Sequence, residues 1–303
     1  MNELTQQLIN GLALGAIYAL IALGYTMVYG VLRFINFAHG DVFMLGSFAG
    51  YFLSPLVNRF LAPQSYLGGL IVLALAMAIC GGIGILIEFL AYRPLRKRPR
   101  LAVLITAIGV SLFIEYTCQN DHVFKAAPRE FPNLIPSAIW HVGKLVIGSN
   151  QVIVFVVTIL LLVLLTFIVQ RTKVGIAMRA VAFNEQAAAL MGINIDSIIS
   201  FTFGLGSALA GAGGILFAMN YASIDPLMGV QTGLKAFVAA VLGGIGNLPG
   251  AALGGLILGV VETVASGIPG LSNYRDGIAY GILILILILR PAGLLGKWQP
   301  EKV

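Results

Sequence analysis

The chain alternates long apolar runs with short polar connections. A helix of about 20 apolar residues crosses the hydrocarbon core of a bilayer. The pattern therefore predicts an all-α, polytopic membrane protein with eight to nine transmembrane helices. The runs lie at about 5–30, 38–58, 67–92, 101–118, 151–169, 198–221, 229–246, 250–267 and 276–290. Those at 38–58 and 229–246 carry polar or Gly-rich interruptions, so either could be a broken or re-entrant helix.

Composition strengthens this prediction. The 303 residues are 59% hydrophobic and 10% charged, whereas a soluble domain has about 25% charged residues. So few polar groups cannot cover a globular surface, which argues against a cytoplasmic enzyme or a nucleic-acid-binding protein. Small residues also recur four apart, a spacing that lets membrane helices pack closely. They are Gly11/Gly15, Gly46/Gly50, Gly206/Ala210/Gly214 and Gly255/Gly259.

Positive charge is concentrated in three regions that the predicted runs place on one side. The positive-inside bias makes that side cytoplasmic and the segment 119–150 external. Counting back puts the N-terminus outside if the first two runs both span. The basic residues concerned are Arg93, Arg96, Lys97, Arg98 and Arg100, then Arg171, Lys173 and Arg179, and finally Arg290, Lys297 and Lys302.

The connection at 170–200 predicts a short capped helix. Asn184 is a plausible N-cap, Glu185 suits the positive end of a helix dipole, and Gly192 fits a C′ terminator. Between them lie about two Ala-rich turns, far too few to span a bilayer. Such a helix could brace the fold, or it could dock in a partner's groove and transmit motion. Its apolar face would consist of Ala187, Leu190 and Met191.

No motif in the sequence argues for an enzyme. The nearest fragment to a phosphate-binding loop, Gly293–Lys297, has the wrong spacing and lacks the hydroxyl that holds Mg²⁺. The three histidines form no H-E-x-x-H pair, and no G-x-S-x-G occurs. We therefore predict neither a catalytic residue nor a metal site.

Six polar residues border or enter the apolar runs, where ionisable groups are costly and are functional candidates by default. Lys235 and Glu262 flank the Gly246–Gly250 turn at similar depth, about 16–18 Å from it at 1.5 Å per residue, so they could instead form an interhelical ion pair. Asn36, His39 and Asp41 fall in a predicted cytoplasmic connection, where they could line a gate or lie at the interface. The six are Asn36, His39, Asp41, Glu88, Lys235 and Glu262.

Ordered motifs over residues 35–293 resemble the permeases of branched-chain amino-acid ABC importers, and in particular the shorter, H-type members. The resemblance implies a single permease domain over 1–303 with an external loop at about 119–150 and an ATPase-coupling loop at about 170–197. The motifs are Ile35–Asp41, Ala91–Leu95, Glu185–Ala187, Met191–Asn194, Gly233–Phe237, Ala240–Gly246 and Arg290–Gly293. The implied coupling residues are Arg179, Asn184, Glu185, Ala187, Leu190, Met191, Gly192 and Asn194.

The resemblance also implies partners and a location. These are a second permease, two cytosolic ATPases that bind ATP and Mg²⁺, and a periplasmic or lipid-anchored binding protein, assembled at a bacterial inner membrane. This chain itself would need no cofactor. Relatives of this kind also carry urea or short amides. A stand-alone, ion-coupled carrier that uses Asp41, Glu88 or Glu262 remains an alternative from another class.

Overall fold

The computed structural model describes residues 2–96 and 98–296, so Lys97, Lys297 and Lys302 lie outside the described residues. Within the described ranges the chain folds into α-helices numbered here in chain order. They are α1 (Asn2–Leu32), α2 (His39–Val57), α3 (Tyr66–Ile87), α4 (Arg100–Gln119), α5 (Ser149–Arg171), α6 (Lys173–Phe183), α7 (Glu185–Leu190), α8 (Ile195–Tyr221), α9 (Met228–Gly243), α10 (Leu248–Gly267) and α11 (Arg275–Leu289).

The prediction of eight to nine spans is confirmed. In the described part of the chain, eight helical stretches are long and apolar enough to cross a membrane. The interrupted run at 38–58 is one continuous helix, α2. The other doubtful run forms α9, whose 16 residues extend about 24 Å at 1.5 Å per residue. That length is shorter than a bilayer core of about 30 Å.

The small-residue spacing brings helix backbones into contact, as predicted. Gly11 lies on Val260, and Gly15 lies on Leu256, so that a Cβ added at either glycine would stand 2.7 Å from the facing Cα. The contacts run in opposite directions along the two helices, so α1 and α10 are antiparallel. Gly259 in turn faces Gly15. Helix α1 is buried over its central part, from Gly11 to Val28 with the exception of Leu12.

Helix α8 is the second centre of packing. Gly211 faces Gly46 of α2, and a Cβ on Gly81 of α3 would lie 3.2 Å from the carbonyl oxygen of Gly204. In contrast, α4, α5 and α11 turn most of their apolar side chains outward. The bundle therefore has two glycine-rich centres and a periphery suited to lipid or to partner helices.

The segment 119–150 contains short strands that the all-α prediction did not foresee. Strand β1 (Arg129–Glu130) pairs antiparallel with β4 (Ser223–Ile224), and β2 (Ile139–Val142) forms a hairpin with β3 (Leu145–Gly148). The Gln6 side chain hydrogen-bonds both the N–H and the carbonyl of Val146, each at 2.9 Å. The start of α1 therefore lies on the same side of the bundle as this segment, as counting back along the spans predicts.

Candidate functional site

The short helix predicted near 184–191 is present as α7, and local capping determines both of its ends. The Asn184 side chain accepts a hydrogen bond from the Ala187 N–H at 3.0 Å. Gly192 adopts φ +82°, and its N–H donates to the Ala189 carbonyl. A left-handed φ is the usual helix stop, and glycine adopts it at little cost.

The end of α6 and helix α7 present apolar side chains to the outside. Leu190 is 89% exposed, Met191 83% and Phe183 90%, and Ala187 is exposed beside them. Ala188, in the same helix, is buried. Large apolar groups exposed close together in the chain, on the side that the charge pattern predicts to be cytoplasmic, indicate a docking site. We call Phe183, Ala187, Leu190 and Met191 the α7 surface.

The remaining predicted loop residues have local roles. Arg179 donates to the Val169 carbonyl of α5, so it fastens α6 rather than extending the α7 surface. Asn194 caps α8 by accepting from the Ser197 N–H at 3.1 Å. The sequence reading missed α6 and with it Phe183. The start of α6 could have been predicted from Thr172, because threonine is a favoured N-cap residue. In the structure its hydroxyl accepts a hydrogen bond from the Gly175 N–H.

Glu88 lies at the predicted cytoplasmic end of α3, where the helix continues as a π-turn over Glu88–Tyr92. Its carboxylate is fully buried and pairs with Arg93 at 3.0 Å and with Arg96. The Ser200 hydroxyl of α8 lies 2.6 Å from the same carboxylate. Arg96 also pairs with Asp196 of α8 at 2.6 Å. These five residues form the α3–α8 cluster. Glu88 is thus held by cations, which does not support an open ion site.

The structure corrects the prediction for His39 and Asp41, which placed both residues in a cytoplasmic connection, where they would line a gate or lie at the interface. Both belong to the first turn of α2 and are 1% exposed. Asp41 lies 2.5 Å from the Ser111 hydroxyl, and Ser111 lies near the middle of α4. The chain therefore re-enters the bundle before α2 begins. His39 packs its ring edge-on against Tyr25 of α1.

Asn36 is also buried, within the connection between α1 and α2. It accepts a hydrogen bond from the Tyr92 hydroxyl at 2.6 Å. Because Tyr92 belongs to the π-turn that starts at Glu88, Asn36 is linked to the α3–α8 cluster. In the sequence, Asn36 lies at least 52 residues from Glu88 and from Tyr92. Only the fold therefore reveals the contact.

Lys235 and Glu262 form the interhelical ion pair that their spacing allowed, with Nζ 2.6 Å from Oε1. The Tyr18 hydroxyl of α1 donates to the other oxygen of Glu262 at 2.8 Å. Lys235 also lies 2.7 Å from Asp276 of α11. We call Lys235, Glu262, Tyr18 and Asp276 the α9–α10 cluster. Tyr18 and Asp276 were not predicted, because they lie on helices distant in sequence.

These features first define a class. A bundle of membrane spans, with ionisable residues paired inside it and a capped helix exposed on one polar side, is the architecture of a multi-pass membrane transport permease. The sequence has no phosphate-binding loop of its own.

Comparison with known proteins then gives the family. The family model described as the permease component of the branched-chain amino acid transport system matches residues 7–287, and the chain belongs to this family. The high-affinity branched-chain amino acid permease BraD of Pseudomonas aeruginosa is 43% identical, over 98% of this chain and 97% of its own. LivH of Salmonella typhimurium and LivH of Escherichia coli, described in the same words, are 41% and 40% identical over the same shares. The resemblance inferred from the motifs is confirmed, and the family is one of transport permeases rather than enzymes.

Proposed function

We propose that this chain is the inner-membrane permease subunit of an ABC importer and forms half of the pathway for branched-chain or related neutral amino acids. Its 40–43% identity to permeases named for branched-chain amino acids supports the substrate class. The α7 surface carries the mechanism, because it offers exposed apolar side chains to a partner on the polar side that the charge pattern predicts to be cytoplasmic.

The proposed mechanism divides work between subunits. Residues 1–303 form one permease domain, the segment 119–150 faces outward, and the loop at about 170–197 contacts the ATPases. Two cytosolic ATPases bind ATP and Mg²⁺, and their movement displaces α7. A second permease completes the pathway, and a periplasmic or lipid-anchored binding protein delivers the substrate. A leucine-like zwitterion with an apolar side chain needs few polar contacts in transit.

Gly192 allows a direct test of the coupling role. No atom lies within 4 Å of a Cβ built on Gly192, so a substitution there acts through the backbone rather than through a clash. Gly192→Val should disfavour the φ of +82° and lower ATP-driven uptake, because β-branched residues resist positive φ. Gly192→Asn is the matched control, since Asn tolerates this conformation. The measurement is uptake by the complete importer in vesicles.

A second substitution tests the charge at the start of α7. Glu185→Arg places a cation at the positive end of the helix, where an acid is favoured, so uptake should fall while membrane insertion stays normal. Full ATP-coupled uptake by both Glu185→Arg and Gly192→Val would show that α7 does not couple.

The substrate and the energy source are tested separately. Purified complex should take up leucine, isoleucine or valine only when the ATPases and ATP are present. Preference for urea or a short amide would move the protein to another substrate within the family. Uptake by this chain alone, driven by an ion gradient, would identify a secondary carrier instead.

A further inference from the structure

The connection between α7 and α8 is short, and hydrogen bonds join it to both helices. The Ile193 N–H donates to the Ala188 carbonyl of α7, and the Ile198 N–H donates to the Asn194 carbonyl at the start of α8. Asp196 lies in the first turn of α8, only six residues after the end of α7. Because so few residues separate them, a displacement of α7 is expected to move Asp196 as well.

Asp196 forms an ion pair with a residue in the connection between α3 and α4. Arg96 holds Asp196 through Nη1 at 2.6 Å and holds Glu88 through Nη2. The Arg96 side chain is only 13% exposed, and that of Glu88 is fully buried. A planar guanidinium that grips two carboxylates with separate nitrogens fixes their relative position better than a lysine would.

Two sets of contacts connect Glu88 to other helices of the bundle. Ser200 and Arg93 also bind the Glu88 carboxylate, so α3 and α8 are joined here as well as at their glycine contact between Gly81 and Gly204. The π-turn that begins at Glu88 ends at Tyr92, whose hydroxyl holds Asn36 in the α1–α2 connection. That connection leads directly into the buried first turn of α2. Isolated π-turns inside helices occur frequently at functional sites.

We propose that Arg96, by joining Asp196 to Glu88, is the positioning residue that carries displacement of α7 into the α3 π-turn and onward to Asn36 at the entrance of α2. This inference rests on the proposed function of α7 as the ATPase contact. It assigns to the α3–α8 cluster a role in coupling rather than in substrate binding.

The Asp196–Arg96 contact can be removed with little risk to the fold, because the Asp196 side chain is 58% exposed. In the complete importer, Asp196→Asn should leave the amount of assembled complex and its ATPase rate unchanged. Uptake per ATP hydrolysed should fall about 3- to 10-fold, which lies within the range that residues in coupling networks carry. Asp196→Glu should restore it by keeping the carboxylate, and Asp121→Asn, on the exposed external loop, is the matched control.

A double-mutant cycle tests whether Arg96 is the partner. Arg96→Gln should lower the uptake-to-ATP ratio, and adding Asp196→Asn should lower it no further. Losses that multiply would show that the two residues act separately and would overturn the proposal. An unchanged ratio in Asp196→Asn would overturn it as well.

Crosslinking separates failure of this inference from failure of the proposed function. Leu190→Cys, in a background with Cys80 and Cys118 replaced by alanine, should crosslink to the ATPase whether or not Asp196→Asn is present. Retained crosslinking with an unchanged ratio would refute the role of Arg96 alone. Absence of crosslinking in every variant would refute the contact between α7 and the ATPase, and with it this inference.

Discussion

The two charged clusters use the same kinds of side chain in different surroundings. In the α9–α10 cluster, Lys235 and Glu262 are 7% and 5% exposed, and the hydroxyl of Tyr18 completes the carboxylate's contacts. In the α3–α8 cluster, the buried Glu88 is joined through Arg96 to Asp196, whose side chain is 58% exposed. The Lys235–Glu262 pair is enclosed by the bundle, although Asp276 of the same cluster is 41% exposed. The Glu88–Arg96–Asp196 contacts extend from the interior of the bundle to its surface.

This difference teaches what each cluster can do. Removing one member of an enclosed ion pair leaves the other charge buried without a partner, which costs a large amount of free energy. Such a pair therefore mainly determines whether the helices assemble. A pair with a solvated member contributes little stability. It can therefore be altered, or moved by a partner, without loss of the fold. The enclosed Lys235–Glu262 pair suits assembly, and the Arg96–Asp196 pair, with its exposed carboxylate, suits transmission.

The largest expected effect concerns the side on which the α3–α8 cluster lies. Single cysteines introduced as Arg98→Cys and Ala126→Cys, with Cys80 and Cys118 replaced, should react in an all-or-none manner with an impermeant thiol reagent. Ala126→Cys should label in intact cells and Arg98→Cys only after lysis. The reverse pattern would place α7 outside and remove the basis of the comparison.

Next in size is the loss of the enclosed pair. Lys235→Met leaves Glu262 without its cation, and an unpaired charge in the membrane costs about 2.5–3.5 kcal/mol. Glu262→Gln should cost less, because Lys235 keeps Asp276. Both should lower the amount of assembled complex measured by detergent extraction and gel filtration, and the double variant should recover a good part of it.

The matched control for this cycle is Lys173→Met, since Lys173 is exposed at the start of α6. It should assemble normally. If the losses of Lys235→Met and Glu262→Gln simply add, the pair seen in the structure contributes no coupling energy. Lys235 would then be a candidate for the translocation path.

A smaller effect is expected at Tyr18. Tyr18→Phe removes the hydroxyl that donates to Glu262, and a hydrogen bond to a charged group contributes about 1.5–3 kcal/mol. The thermal stability of the complex should fall, whereas Tyr116→Phe, on the exposed side of α4, should leave it unchanged. Combined with Lys235→Met and Glu262→Gln, Tyr18→Phe should have little further effect, because no carboxylate remains for the hydroxyl to stabilise.

The smallest effect on stability should come from the exposed end of the α3–α8 cluster. Asp196→Asn should change the stability of the complex by about 0–1 kcal/mol, as exposed ion pairs do, and high salt should reduce even that difference. Thermal melting at low and high ionic strength measures it. A loss as large as that of Lys235→Met would show that both clusters serve assembly and that the contrast between them is wrong.

Local signals predicted the elements well. The apolar runs marked the spans because hydrocarbon requires about 20 apolar residues per helix, and Asn184 and Gly192 marked α7 because caps act within a few residues of the helix end. The glycine pairs correctly indicated close packing but not which helices meet. Gly15 and Gly259 face each other across 244 positions of sequence, and no local rule specifies such a pairing.

The sequence by itself determined the class, the approximate spans, the capped α7 helix and the possibility of a Lys235–Glu262 pair across one short turn. All of these depend on hydropathy, charge or spacing within two adjoining helices. Only the tertiary structure decided that Asp41 reaches Ser111, that Tyr18 and Asp276 complete the α9–α10 cluster, and that Arg96 joins Glu88 to Asp196. Those contacts depend on the rotation and tilt of helices far apart in the chain, which packing of the whole bundle fixes.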